Sequence, residues 1–299
     1  MGYRNIMISN VTELHIKDRQ LQIGNLASIP LEDINSIMIE SQSVKMSSYF
    51  LQKAAEIGIV VYACNEQHIP STVVLPVQHH HRHFKMLKLQ MNVSKPLQKR
   101  LWQQIIVGKI KNQAKCLKLM DITQWEELDK MSREVKSGDT THVEGRAAAF
   151  YFKCLFGKEF SRGEEHIINS ALNYGYAIIR GMIARTIICY GFEPSLGIWH
   201  CSELNGFNLA DDFIEPFRTV VDLYVAQNFD YSEINTALTA DMKRGLFSML
   251  SYDMNVNGEK QIMANAIDKM VMGYGRCLNG NQNELVIPEL MPLEIHSYE

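Results

Sequence analysis

The sequence lacks the patterns that mark disulfide scaffolds, zinc–thiolate sites and membrane spans. Its six cysteines are scattered without a Cys-x-x-Cys pair, which argues against a zinc site and favours reduced thiols. No apolar run approaches the roughly 18 residues that a membrane span needs, and no charged-then-apolar signal sequence opens the chain. We therefore expect a cytoplasmic protein, with the hydrophobic fraction, 46%, of a soluble globular chain.

Acidic residues are absent from one long stretch. Between Gln67 and Met120 there is no Asp or Glu, against ten Lys and Arg. A basic stretch of this length is typical of a phosphate-binding surface. From His200 to Asp241 the balance reverses, with eight acids and one arginine. An acidic stretch would repel a nucleic acid unless a metal ion neutralised its charge. The basic stretch and the acidic stretch together therefore indicate metal-dependent chemistry on nucleic acid.

Length and periodicity predict an α+β chain, in which a small N-terminal β-sandwich-like domain precedes a larger all-α catalytic domain. Residues 1–77 contain short alternating runs separated by turn residues, with one helix from about Ser47 to Ile57. Residues 78–84 are predicted to be a linker. Helical periods dominate residues 85–299, and residues 286–299 are predicted to be a Pro-containing tail.

A histidine cluster lies in this linker, with four histidines within residues 79–83. Such a run can bind metal. The alternative is an exposed hinge between the domains, which would add pH-dependent charge near the basic stretch.

The most informative stretch holds His200, Asp211, Asp212 and Glu215. In a helix Glu215 would neighbour both aspartates, and like charges that close repel unless a proton or cation lies between them. A hard divalent cation with oxygen and imidazole ligands fits this set. Pro216 predicts a kink or a fresh helix start. The alternative is a solvated acidic helix start with an unrelated histidine.

Three further residues have two interpretations each. Glu144 follows Thr141 by three positions, so it could belong to a capping box that only satisfies a backbone donor. Arg180 and Arg185 lie in a long helical pattern and could hold phosphate, although pairs with core acids are an equal alternative.

A family resemblance rests on five segments spread across residues 101–218. They are Leu101–Gln113, Glu144–Phe152, Leu172–Arg180, Pro194–His200 and Asn208–Arg218. In this order they make the chain resemble the universal CRISPR-associated adaptation integrase, a metal-dependent DNA endonuclease that inserts new spacers. The details look most like its type II subtype. Residues 1–77 fit the family's β-domain by pattern only.

The resemblance implies a ligand set for one catalytic divalent ion, Mg²⁺ or Mn²⁺. By motif these ligands fall on Glu144, His200 and Glu215, where many members have Asp at the third position. A second family acid falls on Asp212, which would orient a ligand or assist proton movement. The implied reaction is attack of a DNA 3′-hydroxyl on a phosphodiester of the repeat; with water as nucleophile the same site would be a nuclease.

The resemblance also implies partners. These are double-stranded DNA (the incoming spacer fragment and the CRISPR repeat), a second copy bound through the β-domain, and a small partner protein that bridges two dimers. The predicted DNA-binding residues are Lys85, Lys88, Arg100, Lys109, Lys111, Lys115, Arg146, Arg180 and Arg185. The alternative function is a non-catalytic nucleic-acid-binding scaffold whose acids only cap helices.

Overall fold

Two four-stranded sheets form the N-terminal part of the computed structural model, which describes residues 2–75, 82–230 and 237–296. One sheet has the strand order β1-β5-β7-β8 and the other β4-β3-β2-β6. The strands are β1 (Arg4–Ile8), β2 (Glu13–Lys17), β3 (Gln20–Ile23), β4 (Ala27–Pro30), β5 (Ile34–Ile39), β6 (Lys45–Met46), β7 (Val60–Cys64) and β8 (Pro70–Val74). Within the first sheet β5 pairs in parallel with β1 and β7, and β8 is antiparallel to β7.

The predicted helix of this part is confirmed as α1 (Ser48–Ile57). The Ser47 hydroxyl accepts a hydrogen bond from the Phe50 amide at 3.1 Å, which caps the start of the helix. Gly58 ends it with φ 82°, a left-handed conformation that glycine adopts without strain. Phe50 and Ala54 pack from α1 into the core between the two sheets, so the sandwich-like prediction is confirmed.

Helices make up most of the remaining chain, as predicted. They are α2 (His83–Met91), α3 (Lys95–Leu119), α4 (Trp125–Glu134), α5 (Val143–Phe156), α6 (Ile167–Cys189), α7 (Asn208–Phe213), α8 (Arg218–Asn228), α9 (Ala240–Ser248) and α10 (Met263–Leu278). Of the predicted linker, residues 78–81 lie outside the described part of the chain, and with them three of the clustered histidines. Among the described residues, no helix is long and apolar enough to cross a membrane.

The second domain is mainly helical, as predicted, but it is not all-α, because a third sheet lies within it. Its strand order is β10-β9-β11, with β9 (Tyr252–Val256), β10 (Glu259–Ile262) and β11 (Glu289–Ile295). Asn257 and Gly258 join β9 to β10 with φ values of 55° and 90°, and Asn-Gly is the preferred pair for such a two-residue hairpin turn. The predicted tail contains β11, so this part of the prediction is also wrong.

The two parts of the chain share a packed boundary. The Tyr62 hydroxyl on β7 donates a hydrogen bond of 2.8 Å to the Ile178 carbonyl on α6. Met38 and Val60 from the same sheet join the large core of the helical part. A methyl group added at Gly181 would collide with the Tyr62 ring, so this glycine permits the close approach of the sheet to α6.

Candidate active site

The start of α5 presents Glu144, and a carboxylate from another residue caps this start. Asp139 Oδ1 and Oδ2 accept hydrogen bonds from the amides of Val143 and Glu144 at 2.9 and 3.0 Å. His142 precedes the helix with φ 52°, and the Glu144 side chain turns to Lys109 instead of the backbone. The capping-box interpretation of Thr141 and Glu144 is therefore wrong, and the Glu144 carboxylate is left for another role.

Glu215 lies at the predicted helix break. Helix α7 ends at Phe213, a single 3-10 turn covers Glu215–Phe217, and α8 begins at Arg218. The kink predicted from Pro216 is therefore confirmed. Asn112 on α3 fixes this turn by donating hydrogen bonds to the carbonyls of Pro216 and Pro288 at 2.8 and 3.0 Å, and its own Oδ1 accepts one from the Leu290 amide at 3.0 Å.

One ammonium group joins the two glutamates. Lys109 Nζ lies 2.5 Å from Glu144 Oε1 and 2.6 Å from Glu215 Oε2. Arg218 Nε donates to the other oxygen of Glu215 at 3.0 Å. Burial alone would raise the pKa of Glu215, but the two cations lower it to about 2. Burial likewise acts against the charged form of Lys109, yet the two carboxylates raise its pKa, so this cluster is held as ions.

The contact between Lys109 and Glu215 is close but poorly aligned. Glu215 Oε2 is buried and accepts no hydrogen bond of normal geometry from the described residues, although the ammonium lies 2.6 Å away. An ion pair depends mainly on distance, whereas a hydrogen bond also depends on direction. Glu215 Oε2 therefore has the Lys109 ammonium as its ionic partner and no aligned hydrogen bond, and a carboxylate oxygen is a ligand type that a hard divalent cation binds.

His200 is positioned by Asp212. The Asp212 carboxylate is fully buried and accepts hydrogen bonds from the amides of Ile198, Trp199 and His200 at 2.5, 3.0 and 3.1 Å. Its Oδ1 also lies 2.8 Å from His200 Nδ1. This hydrogen bond, with smaller contributions from the charges of Asp212, Glu215 and Asp211, raises the pKa of His200 against the effect of burial. With Nδ1 engaged, Nε2 is the ring atom left for a ligand.

A glycine and two tryptophans shape the loop that carries His200. A methyl group at Gly197 would collide with the His200 carbonyl and lie 2.9 Å from Asp212 Oδ2, so only glycine lets the loop wrap the carboxylate. Trp199 stacks on Trp102 of α3 with ring centroids 5.7 Å apart, and the Trp102 ring meets the His200 ring edge-on at 5.6 Å. Helix α3 therefore carries Lys109 and also contacts the loop that carries His200, hereafter the histidine loop.

The three predicted metal ligands are only partly brought together. Glu144 and Glu215 meet at Lys109, and His200 is near enough to Glu215 for its charge to affect the pKa. Across residues 2–75, 82–230 and 237–296, no three His, Cys, Asp or Glu side chains are close enough to hold a metal ion. Metal ligation by Glu144, His200 and Glu215 remains a prediction.

A second buried network continues behind Glu215 and was not predicted from the sequence. Asp222 accepts hydrogen bonds from the hydroxyls of Tyr151, at 3.0 Å, and Tyr176. Burial raises the pKa of Asp222 to about 6, although both hydroxyls act in the opposite direction. The Arg218 guanidinium lies 4.7 Å from the centre of the Tyr176 ring, so this network supports the arginine that holds Glu215.

Most predicted DNA-binding side chains reach the surface. The exposed ones are Lys85, Lys88, Arg100, Lys111 and Arg146. Of the half-buried ones, Lys115 Nζ lies 3.6 Å from a Glu289 oxygen, and Arg180 Nε lies 2.6 Å from Asp211 Oδ1. For Arg180, the alternative of a pair with an acid is the one observed.

Two of the predicted DNA-binding residues are buried, and this is a correction. Lys109 is 7% exposed and lies between the two glutamates, while Arg185 is 6% exposed and donates to the Gly58 carbonyl. A side chain enclosed in this way does not present its charge to a phosphate at the surface, so Arg185 is a structural residue that links α6 to the end of α1. Lys109 is instead the ionic partner of the Glu144 and Glu215 carboxylates.

Comparison with known proteins identifies relatives along the whole chain. The sequence model of the family described as CRISPR associated protein Cas1 matches residues 6–250. A CRISPR-associated endonuclease Cas1 from Neisseria meningitidis serogroup C is 40% identical over 304 residues and covers 100% of both chains. The resemblance stated from the sequence is therefore confirmed.

Solved structures give the same fold at low sequence identity. A casposase bound to an integration product superposes with a TM-score of 0.77 at 19% identity, covering 100% of this chain and 97% of that chain. A chain of a Cas6-RT-Cas1–Cas2 complex superposes with a TM-score of 0.69 at 17% identity, covering 96% of this chain and 36% of the larger one.

Proposed function

The chain belongs to the CRISPR-associated Cas1 family, and from this membership we propose that it is a metal-dependent DNA endonuclease and integrase that inserts spacers into a CRISPR array. The N. meningitidis relative is named an endonuclease, and the casposase structure contains an integration product. The observation that carries the proposal is the buried Glu215 carboxylate, which lies opposite the Glu144 carboxylate across one ammonium group.

The side chains supply donor atoms of the type that a hard divalent cation binds. Glu144 and Glu215 supply carboxylate oxygens, and His200 supplies the imidazole nitrogen that Asp212 leaves unused. We propose these three residues as the ligands of Mg²⁺ or Mn²⁺. When bound, such an ion polarises the scissile phosphate and stabilises the negative charge that develops.

The proposed reaction is a transesterification. The 3′-hydroxyl of the incoming fragment attacks a phosphodiester of the repeat, a new phosphorus–oxygen bond forms, and the bond to the original 3′-oxygen breaks. Asp212 holds His200 in one tautomer and orientation. Exposed basic residues such as Lys111 and Arg100 hold the DNA backbone and set affinity without reading sequence. With water as nucleophile, the same arrangement gives hydrolysis.

The partners proposed are double-stranded DNA, a second copy bound through the β-domain of residues 1–77, and a small partner protein of the adaptation complex. Similarity to a chain of a complex that also contains Cas2 supports the small partner. The casposase structure supports DNA as the substrate class.

The decisive experiment uses Glu144→Gln and labelled duplex DNA that carries a repeat. Glutamine can still accept a hydrogen bond from Lys109 but loses the charge that a hard cation needs, so strand transfer and cleavage in Mg²⁺ or Mn²⁺ should fall by at least about 100-fold. DNA binding should be retained, because it depends on the basic surface. Glu126→Gln, at an exposed position in the first turn of α4, is the matched control and should be fully active.

The alternative, a non-catalytic nucleic-acid-binding scaffold, makes the opposite prediction. Absence of divalent-dependent cleavage and joining by the unmodified protein, in both Mg²⁺ and Mn²⁺, would favour the scaffold. Full activity of a stable Glu144→Gln protein would remove Glu144 from the proposed site.

A further inference from the structure

Lys109 occupies the place between two carboxylates that a bound cation would also take. Its ammonium lies 2.5 Å from Glu144 Oε1 and 2.6 Å from Glu215 Oε2, and its side chain is nearly as buried as that of Glu215. Glu144 is partly open to solvent, with 35% of its side chain exposed. The ammonium is therefore enclosed on the Glu215 side, and the Glu144 side remains accessible to an ion from solution.

Charge is balanced in this cluster without any added ion. Lys109 and Arg218 carry two positive charges, and Glu144 and Glu215 carry two negative charges. A divalent ion bound by both glutamates would give these four side chains and the ion an excess of two positive charges. Such an excess is unfavourable where water screens little, because repulsion between like charges is strongest there.

We propose that Lys109 is a resident counterion that competes with the divalent ion: it holds Glu144 and Glu215 together in the metal-free protein, and its ammonium must leave the space between them when metal binds. The inference rests on the proposed metal-dependent function. Lys109 is then a residue that sets metal affinity, and Arg218, bonded to the opposite oxygen of Glu215, stays in place during the exchange.

A purely structural role for Lys109 predicts the reverse. If the ammonium served only to position the two carboxylates as ligands, its removal would let them move apart and would weaken metal binding. The sign of the change in metal affinity therefore separates competition from positioning, and no activity measurement is needed.

The test is a Mn²⁺ titration by calorimetry of the unmodified protein, Lys109→Met and the control Lys118→Met. Methionine keeps much of the apolar stem and removes the charge, while Lys118 is an exposed lysine on the same helix. Competition predicts that Lys109→Met binds Mn²⁺ at least about tenfold tighter than the unmodified protein, because one nearby like charge is gone. Lys118→Met should bind Mn²⁺ as tightly as the unmodified protein does.

Thermal unfolding gives a second readout from the same proteins. Without metal, Lys109→Met should melt at a lower temperature than the unmodified protein, since two carboxylates then face each other without a cation. Saturating Mn²⁺ should raise its melting temperature by more than it raises that of the unmodified protein. If Lys109→Met does not fold, Lys109→Gln, which keeps a hydrogen-bond donor, replaces it in both measurements with the same expected result.

The outcomes separate this inference from the proposed function. In the first outcome, the unmodified protein binds Mn²⁺, Glu215→Gln abolishes this binding, and Lys109→Met binds Mn²⁺ equally or more weakly. This result overturns the competition and leaves the metal site standing. If Lys109→Met binds Mn²⁺ and the unmodified protein does not, the result supports both the competition and the metal site. The absence of Mn²⁺ binding in the unmodified protein and in every lysine variant overturns the metal site, and the competition with it.

Discussion

Asp212→Asn replaces one carboxylate oxygen by an amide group inside the histidine loop. The carboxylate accepts hydrogen bonds from three backbone amides and contacts His200 Nδ1. An asparagine oxygen can replace only one of the two acceptor atoms, and its NH₂ group then faces donors. Because each hydrogen bond to a charged group contributes about 1.5–3 kcal/mol and two of the four are lost, the free energy of unfolding should fall by roughly 3–6 kcal/mol.

Urea unfolding of Asp212→Asn, followed by fluorescence of the neighbouring tryptophans, measures this loss. The control is Asp211→Asn, since Asp211 pairs with a partly exposed arginine and its loss should cost only about 1 kcal/mol. The Asp212→Asn protein should also bind Mn²⁺ about 10–100-fold more weakly, as the support for His200 is lost. A cost below about 1 kcal/mol, or one no larger than that of the control, would refute the hydrogen-bond account of this loop.

Two further predictions concern buried charge and DNA binding. The pKa of Asp222 is raised by burial from 3.8 to about 6, so the folded protein holds this proton more tightly than the unfolded chain does. The free energy of unfolding should therefore fall by up to about 3 kcal/mol as pH rises from roughly 4 to 7. Asp222→Asn should remove this fall in urea unfolding at the two pH values, and an unchanged pH dependence would contradict it. Lys111→Ala with Lys115→Ala should weaken duplex binding for all sequences and lower the log–log salt slope by roughly 1.8. If fluorescence anisotropy across salt concentrations gives an unchanged slope, these lysines do not contact phosphate.

Local sequence patterns are sufficient to predict those helix starts, ends and breaks that depend on only a few neighbouring residues. The helix between Ser47 and Gly58 and the break at Pro216 depend on a cap, a left-handed glycine and a missing amide. The Asn257-Gly258 pair is an equally local hairpin signal, but the helical periods on both sides of it outweigh it and predict an all-α domain. A turn signal of only two residues is weak beside the long helical patterns that flank it.

The site was harder to predict, because its contacts join distant segments. Motif order suggested Glu144, His200 and Glu215, but charge composition placed Lys109 among the surface lysines. A signal for its burial was present: Lys109 follows Trp102 by seven positions and Ile105 by four, so it lies on the apolar face of α3. Which carboxylates would meet it could not be read from spacing, since Glu144 lies on another helix and Glu215 beyond a helix break.

The Asn112 side chain has a consequence for how the site can be observed. Its amide connects the turn that carries Glu215 to the Pro288 carbonyl and the Leu290 amide at the start of β11. Any event that tightens or loosens the Glu215 turn therefore changes how often the Leu290 amide is released to solvent. Deuterium uptake at Leu290 thus gives a remote reporter of events at Glu215, recorded on a backbone amide that takes no part in the chemistry.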